Sequence, residues 1–189
     1  MAKNGTIYIL EGSSRANWLG KLAKFLDLDF DVVEPKSVAN FNDEFPLHKI
    51  PAIVTDKGVK ITEALAIIYY LIAISNKKEL YGSNIDETTQ VIRWLAFFNQ
   101  DFLIGLGTWR RSVNDDEKEK NLSILKSYFV YVDNELKSRK YLALPDRITV
   151  ADIFTYNILK KVSLTLPLTE YQSLSKWLAE IETHPVFKN

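Results

Sequence analysis

The sequence predicts two domains, a small α/β domain of order βαβ-ββα followed by an all-helical domain. Segments rich in β-branched and aromatic residues, which are typical of strands, occur only before Gly82-Ser83-Asn84. Helical periodicity continues through the rest of the chain. We therefore expect an α/β domain at residues 1–81 and a helical domain at residues 86–189, joined by a short linker.

The first half of the α/β domain follows a strand–helix–strand pattern. Thr6–Leu10 predicts the first strand, and Gly12-Ser13-Ser14 then breaks it and offers N-cap side chains. Apolar residues at helical spacing predict a helix over 19–26, and Phe30–Val33 predicts the second strand. The connections are short, which favours parallel pairing of the two strands through a right-handed crossover.

The second half of this domain is predicted to be a hairpin followed by a helix. Ala52–Thr55 predicts a buried strand, and Asp56-Lys57-Gly58 predicts a turn with glycine at the positive-φ position. Val59–Ile61 then predicts an antiparallel partner strand. The almost wholly apolar run from Thr62 to about Ser75 predicts the helix that ends this domain.

Four helices are predicted in the second domain from apolar residues spaced three or four positions apart. The first two carry stripes at Val91, Leu95, Phe98 and Phe102, and at Leu122, Leu125, Phe129, Val132 and Leu136. The last two are expected at 148–162 and 174–181. Gly105 and Gly107 are expected to weaken the end of the first of these helices.

The composition excludes several functional classes. The 24 basic and 24 acidic residues cancel, so no overall field attracts nucleic acid or a membrane surface. There is no cysteine and there are only two histidines, which argues against a metal centre, a disulfide or a thiolate nucleophile. No segment is long and apolar enough for a signal peptide or a membrane span, so we expect a cytoplasmic protein without a metal.

The segment ITVAD, residues 148–152, predicts a helix N-terminus. Thr149 can accept a hydrogen bond from the Asp152 amide while the Asp152 carboxylate accepts one from the Thr149 amide. This is a capping box with aspartate in the usual glutamate position. Apolar residues flank the pair, so we expect the box to be buried and its role to be structural.

The segment HKIPAIVTDKGVKITEALAIIYYL, residues 48–71, places a proline before a strand and an acid at a helix start. A cis Pro51 would turn the Ile50 peptide groups outward, where an extended peptide could pair with them. Thr62 and Glu63 would offer helix amides to a ligand carboxylate and a carboxylate to a ligand ammonium. The simpler alternative is a trans proline that opens a strand and a first-turn acid favoured by the helix dipole, and the pattern alone favours it.

The same segment resembles the signature of the glutathione transferase fold, in which an isoleucine or valine precedes a proline and a threonine–glutamate pair opens the third helix. ITVADI resembles the buried capping box in that family's helical domain. EFPLHKIPAIVTDKGVKITEALAIIYYL, QVIRWLAFFNQDF and YLALPDRITVADI are most similar to the N-terminal transferase-like domain of the gamma subunit of eukaryotic elongation factor 1B, of the fungal type. The resemblance covers nearly the whole chain and implies a thioredoxin-like first domain before the helical bundle.

The resemblance implies a glutathione site at the starts of the third strand and the third helix. Ile50 would bind the cysteinyl backbone of glutathione ahead of a cis Pro51. Thr62 and Glu63 would bind its γ-glutamyl end, and Lys49 would lie near its glycyl carboxylate. The resemblance therefore implies glutathione as a ligand or co-substrate.

Ser13 and Ser14 are the candidate catalytic residues, because some classes of this family place a serine after the first strand to stabilise the glutathione thiolate. A hydroxyl donor and the nearby charge of Arg15 would both favour the thiolate over the thiol. Ser14 is an equally good plain N-cap, and the two roles are compatible. Tyr8 lies inside the predicted strand, so we expect it to pack rather than to act on the thiol.

Two functions from different classes follow from the resemblance. The first is a protein-interaction scaffold of translation elongation that binds the nucleotide-exchange subunit of elongation factor 1B, and the similarity to the gamma subunit favours it. The second is an active glutathione transferase that adds glutathione to apolar electrophiles held against the helical domain. Either function implies a homodimer or a hetero-oligomer, and neither implies a membrane or a nucleic-acid partner.

Overall fold

A computed structural model describes residues 3–38 and 40–188, and the chain divides into two compact units. The first unit extends to Leu80 and includes the segment from Thr183, and the second covers Tyr81–Glu182. All strands of the described residues lie in the first unit, whereas the second is helical. The predicted fold class, a thioredoxin-like α/β domain followed by a helical domain, is confirmed.

The first unit is built on a mixed sheet. Its strands among the described residues are β1 (Gly5–Tyr8), β2 (Phe30–Val33), β3 (Ala52–Thr55) and β4 (Lys60–Thr62). Their order across the sheet is β2-β1-β3-β4. β1 runs parallel to β2 and antiparallel to β3, which in turn runs antiparallel to β4. The parallel pair and the hairpin are those that the sequence predicts.

One row of paired residues marks one end of this sheet. Val33, Tyr8, Ala52 and Thr62 lie side by side across the four strands. The chain leaves β1 and β4 at this end and enters β3 there. The segments that follow Tyr8, precede Ala52 and follow Thr62 therefore meet along one edge of the sheet.

Helices of the first unit bury their apolar faces against the strands. They are α1 (Leu19–Phe25), the single turn α2 (Phe41–Glu44) and α3 (Ala64–Ile74). α1 contacts β2, while α3 contacts β3 and β4. The buried side chains of the two longer helices include Leu19, Leu22, Ile67, Ile68, Leu71 and Ile72. Each such leucine or isoleucine stabilises the fold by roughly 1.5–3 kcal/mol relative to an exposed position.

The start of α3 differs from the prediction by two residues. Thr62 is still part of the sheet and pairs with Ala52. Glu63 then adopts φ +68°, a left-handed conformation that is uncommon for a residue with a side chain. α3 begins at Ala64, because neither preceding residue has helical torsion angles.

The N-cap predicted in the Gly-Ser-Ser segment is wrong, because α1 begins only at Leu19. The Leu10 carbonyl accepts a hydrogen bond from the Ser13 amide at 3.0 Å, so the chain turns directly after β1 and the strand is shorter than predicted. The Ser13 carbonyl accepts from the amides of Ala16 and Asn17 at 3.1 and 3.0 Å. These bonds form a separate turn ahead of the helix.

The second unit contains α4 (Ile85–Phe97), α5 (Leu103–Arg110), α6 (Asp115–Leu136), α7 (Val150–Val162) and α8 (Gln172–Glu182). A π-helical segment, Phe98–Phe102, connects α4 to α5. The helix predicted to weaken at its glycines therefore continues to the end of α5. The predicted apolar stripes of α4 and α6 are buried, except for the half-buried Leu122.

Gly5→Ala is expected to destabilise the first unit by at least about 2 kcal/mol. Gly5 has φ +139°, and an added Cβ would lie 2.2 Å from the Val54 carbonyl oxygen. The substitution therefore adds backbone strain and pushes β1 away from β3. Gly58→Ala is the matched control, since Gly58 also has a positive φ, +75°, but its Cβ would meet nothing within 4 Å. Urea unfolding measures the free energy of unfolding of both variants, and an equal loss in the two would contradict this account.

Candidate functional site

The candidate site lies at the end of the sheet marked by Tyr8, Ala52 and Thr62. The peptide bond between Ile50 and Pro51, just before β3, is cis. Within the described residues, neither the Ile50 amide nor its carbonyl takes part in a backbone hydrogen bond. This peptide unit can therefore pair with an extended ligand in the manner of an added strand.

An aromatic cluster fixes the backbone around this peptide unit. Tyr8, Phe41 and Phe45 are buried and pack with their ring centroids 5.0–5.6 Å apart. Ile50 is half-buried and packs against this cluster. The loop also closes on itself, since the His48 amide donates to the Phe45 carbonyl at 2.8 Å. Aromatic packing thus holds the unpaired backbone of Ile50 in place.

Glu63 occupies the N-cap position of α3, directly beyond the paired row. It makes no side-chain capping hydrogen bond, and the first turn of α3 carries no acidic residue. The first amides of the helix, from Ala64 onward, therefore have no intrahelical acceptor and carry the positive end of the helix dipole. Strained residues of this kind cost about 1–3 kcal/mol and often occur at ligand sites. The arrangement suits a ligand carboxylate.

The predicted binding residues lie on the two segments that meet here. Lys49 immediately precedes the cis peptide and is exposed, and Thr62 ends β4 and is half-buried. Glu63 is exposed beside Thr62, and neither Glu63 nor Lys49 forms an ion pair within the described part of the chain. A ligand with one ammonium and two carboxylates would find complementary charges on these segments.

Ser13 and Ser14 lie in the turn that leaves β1 at the same end of the sheet. Both are half-buried, and no described residue forms a hydrogen bond with either hydroxyl. Neither serine caps α1, so the prediction that Ser14 serves as a plain N-cap is wrong. Their hydroxyls are available to a ligand, and the catalytic assignment stays a prediction.

Tyr8 packs in the aromatic cluster, as predicted. Burial raises the pKa of its phenol above the ordinary value, and the nearby Glu44 carboxylate raises it further. The phenol therefore stays neutral at physiological pH. Its position within β1 makes it part of the support for Ile50.

Glu34 is a supporting residue that the sequence did not suggest. Its carboxylate accepts a hydrogen bond from the Glu11 amide at 3.3 Å and pairs with Lys36 at 2.6 Å. Lys36, and after it the Glu11 amide, hold the pKa of the Glu34 carboxyl below its usual value. The contact ties the segment that leads to Ser13 to the end of β2. No motif marks it, because it follows from the alignment of Val33 with Tyr8.

The capping box predicted at the start of α7 lies in the helical unit. The Asp152 carboxylate accepts from the Thr149 amide at 2.9 Å, the Thr149 hydroxyl at 3.0 Å, the Leu142 amide at 2.8 Å and the Trp177 indole at 3.2 Å. Burial raises the pKa of Asp152, although these four bonds act in the opposite direction. The box therefore joins three segments of the unit and takes no part in the candidate site.

Neither a metal site nor a membrane span emerges from the part of the chain that is described. Within residues 3–38 and 40–188, no group of three or more histidine, cysteine, aspartate or glutamate side chains could hold a metal ion. Among the same residues, none of the helices combines the length and the apolar character needed to cross a bilayer.

Two family models match most of the chain. The model for the glutathione S-transferase N-terminal domain matches residues 3–73, and the model for the glutathione S-transferase C-terminal domain matches residues 86–185. The first match contains the cis peptide, Glu63 and both candidate serines. The second contains the capping box.

Individual proteins match over nearly the full chain. Glutathione S-transferase Y-2 of Pichia kudriavzevii is 34% identical over 187 residues, which are 97% of each chain. A crystal structure of a glutathione S-transferase from the same species has a TM-score of 0.84 and 36% identity, and covers 97% of this chain and 93% of that one. Elongation factor 1-gamma 1 of Saccharomyces cerevisiae is 31% identical over 185 residues, 89% of this chain but 44% of its own length. The expectation that the elongation factor is nearest is therefore wrong.

Proposed function

The chain belongs to the glutathione S-transferase family, and on that premise we propose that it binds glutathione and transfers it to apolar electrophiles. The proposal rests on one observation: two sets of backbone groups without hydrogen-bond partners lie together at one end of the sheet. The Ile50 backbone lacks a partner within the described residues, and the α3 N-terminus beside it lacks a cap. Glutathione is an extended tripeptide with charged ends, which is the chemistry that these features would recognise.

In this proposal each part of glutathione has its own partner. The cysteinyl backbone pairs with the Ile50 peptide, whose direction Pro51 sets. The γ-glutamyl carboxylate lies at the uncapped amides beyond Thr62, and its ammonium pairs with Glu63. The glycyl carboxylate lies near Lys49. The cysteinyl sulfur then falls between β3 and the turn after β1.

Ser13 and Ser14 supply the chemistry in this proposal. A serine hydroxyl that donates a hydrogen bond to the sulfur favours the thiolate and lowers the pKa of the thiol. The thiolate then attacks an electrophilic carbon, a C–S bond forms, and a leaving group such as chloride departs. The thiol proton is released to solvent before the attack. Only charge on sulfur has to be stabilised, so few protein groups are required.

The similarity to curated relatives favours the enzyme over the scaffold. Glutathione S-transferase Y-2 is 34% identical over 187 residues, whereas elongation factor 1-gamma 1 is 31% identical over 185 residues. The elongation-factor similarity still supports a second candidate, a scaffold that binds the nucleotide-exchange subunit of elongation factor 1B. Pull-down with that purified subunit tests it, and absence of binding at micromolar concentration would reject it.

Self-association belongs to the same proposal. Exposed isoleucines line the first helices of the helical unit, namely Ile85, Ile92, Ile104 and Ile124, which are 42–77% exposed. Ile104 and Ile124 lie together in the lining of one surface cleft, and adjoining exposed apolar side chains of this kind are typical of a protein–protein contact. We propose a homodimer or a hetero-oligomer in the cytoplasm. Sedimentation of the wild-type chain as a monomer at micromolar concentration would contradict the dimer.

Glu63→Gln is expected to weaken glutathione binding by at least about tenfold, because it replaces a charge-assisted hydrogen bond to the ligand ammonium with a neutral one. The backbone conformation at Glu63 should not change, since both side chains branch at the same carbon. Isothermal titration with glutathione measures the effect. Glu79→Gln is the control, because Glu79 is an exposed acid of the same unit without an ion pair among the described residues. Equal affinities for both variants would remove Glu63 from the site.

A further inference from the structure

Most of the charged side chains that line one cleft of the helical unit are positive, although the formal net charge of the chain is zero. It encloses about 650 Å³ between the end of α6, the loop that follows it and α8. The cations that line it are Lys137, Arg139, Lys140 and Lys176, and Glu180 is the one carboxylate in its lining. A volume of this size is in the range of small-molecule sites.

Two of these four cations have no carboxylate partner among the described residues. Lys140 pairs with Glu180 at 2.9 Å, and Arg139 lies 3.7 Å from Glu135. The Lys137 ammonium donates instead to the neutral amide oxygen of Asn134 at 2.7 Å, and Lys176 forms no ion pair. The cleft therefore keeps an excess of positive charge that the surrounding acids do not cancel.

The helix dipole explains one of these lysines but not the other. α6 ends at Leu136, and a cation just beyond it, Lys137, compensates the negative C-terminal end of the helix. Lys176 lies in the middle of α8, away from the C-terminus of its own helix. Local helix stability gives no reason for a second unpaired cation that lines the same cleft, whereas an anionic ligand would.

The cleft also has a fixed wall and hydroxyl donors. Trp177 lines it, is 3% exposed, and is held by the hydrogen bond from its indole to Asp152. Ser138 and Ser173 line it as well, and their hydroxyls form no hydrogen bond with a described residue. Lysine ammonium groups, an arginine guanidinium and hydroxyls are together the donors that proteins use for phosphate oxygens.

We propose that this cleft binds a small molecule with two or more linked phosphate groups, held by Lys137, Lys176 and Arg139 and by the hydroxyls of Ser138 and Ser173. Inorganic polyphosphate and a nucleoside triphosphate share this chemistry. Its lining residues belong to the helical unit, whereas the proposed glutathione-binding residues belong to the first unit. Binding is electrostatic, so it weakens as ionic strength rises.

Isothermal titration of the full chain with sodium tripolyphosphate at low salt tests the proposal. The double variant Lys137→Ala/Lys176→Ala is expected to bind at least tenfold more weakly than wild type. The control Lys57→Ala/Lys120→Ala loses the same charge from exposed lysines that form no ion pair among the described residues, and its affinity is expected to change less than twofold. No binding to wild type, or equal losses in both double variants, would overturn the proposal.

Glu180→Gln gives a test in the opposite direction, which a folding defect cannot imitate. It frees Lys140 from its carboxylate, so tripolyphosphate is expected to bind at least twofold more tightly. Weaker binding by this variant would contradict the proposed site. Equal affinities for ATP and tripolyphosphate would show that the cleft recognises the phosphate chain alone. Binding of ATP at least tenfold more tightly than tripolyphosphate would show that it recognises a nucleotide. Single-stranded RNA that binds more tightly than either, with the same loss in the double variant, would overturn the small-molecule proposal.

Discussion

Asp152→Ala is expected to lower the free energy of unfolding of the helical unit by about 3–5 kcal/mol. The substitution leaves two backbone amides, a hydroxyl and an indole N–H in a fully buried place without an acceptor. Each unsatisfied buried donor costs about 1–3 kcal/mol. Since domains are stable by about 5–15 kcal/mol in total, this one carboxylate is a large part of the margin.

Urea unfolding followed by far-UV circular dichroism measures this loss. Asp152→Asn keeps one acceptor oxygen and nearly the same volume, so its loss is expected to be smaller than that of the alanine variant. Asp146→Ala is the control, because the Asp146 side chain is 72% exposed and its cost should stay within about 0.5 kcal/mol. An Asp152→Ala variant as stable as the control would show that the four hydrogen bonds contribute little.

The second large effect is expected on catalysis. Ser13→Ala/Ser14→Ala should lower kcat/KM for the conjugation of glutathione to a chlorinated dinitrobenzene by about 10²-fold, the usual cost of removing a donor to developing charge. Glutathione affinity should change little, because Ile50, Thr62 and Glu63 hold the ligand in the proposed site. The two single variants identify which hydroxyl contacts sulfur.

Ser123→Ala is the control for the serine variants, because Ser123 is exposed on α6 in the helical unit. A double variant within threefold of wild type would remove both serines from the mechanism. Loss of glutathione affinity together with turnover would mean that the turn after β1 helps to hold the ligand, and titration of the same variants separates the two effects.

The parts of the fold that depend on local pattern could be predicted from the sequence. Ala52–Thr55 is rich in β-branched residues and mostly buried, and Gly58 supplies the positive φ of its turn. The next strand pairs back as expected, one residue later than predicted. The pair Thr149 and Asp152 forms the capping box because its hydrogen bonds join residues three apart. In each case the determining contacts lie within a few residues of one another.

The parts that depend on distant contacts could not be predicted. The positive φ of Glu63 has no marker in its own sequence, because aligned strands and the start of α3 impose it together. α1 begins later than the Gly-Ser-Ser signal indicates because the serines close a turn of their own. The contact between Glu34 and Glu11 spans 23 residues and exists only because β1 and β2 are in register.

Local sequence pattern and distant contacts both determine the candidate site. The sequence alone leaves cis and trans geometries open at Pro51, and its simpler interpretation favours trans. The structure has the cis bond and places it beside the uncapped start of α3. Ile50 and Glu63 are 13 positions apart in the chain, and the sheet brings their segments to one edge.

The pKa of the glutathione thiol in the complex tests the central claim most directly. A spectrophotometric pH titration of thiolate absorbance, with wild-type protein in excess over glutathione, reports both binding and activation and needs no choice of electrophile. A free cysteine thiol titrates near 8.5, and a serine donor should lower the pKa of the bound thiol by about 1–2 units. The thiolate should therefore form at a lower pH in the complex than in solution. A thiol that titrates at its free value with the protein in excess would contradict the account.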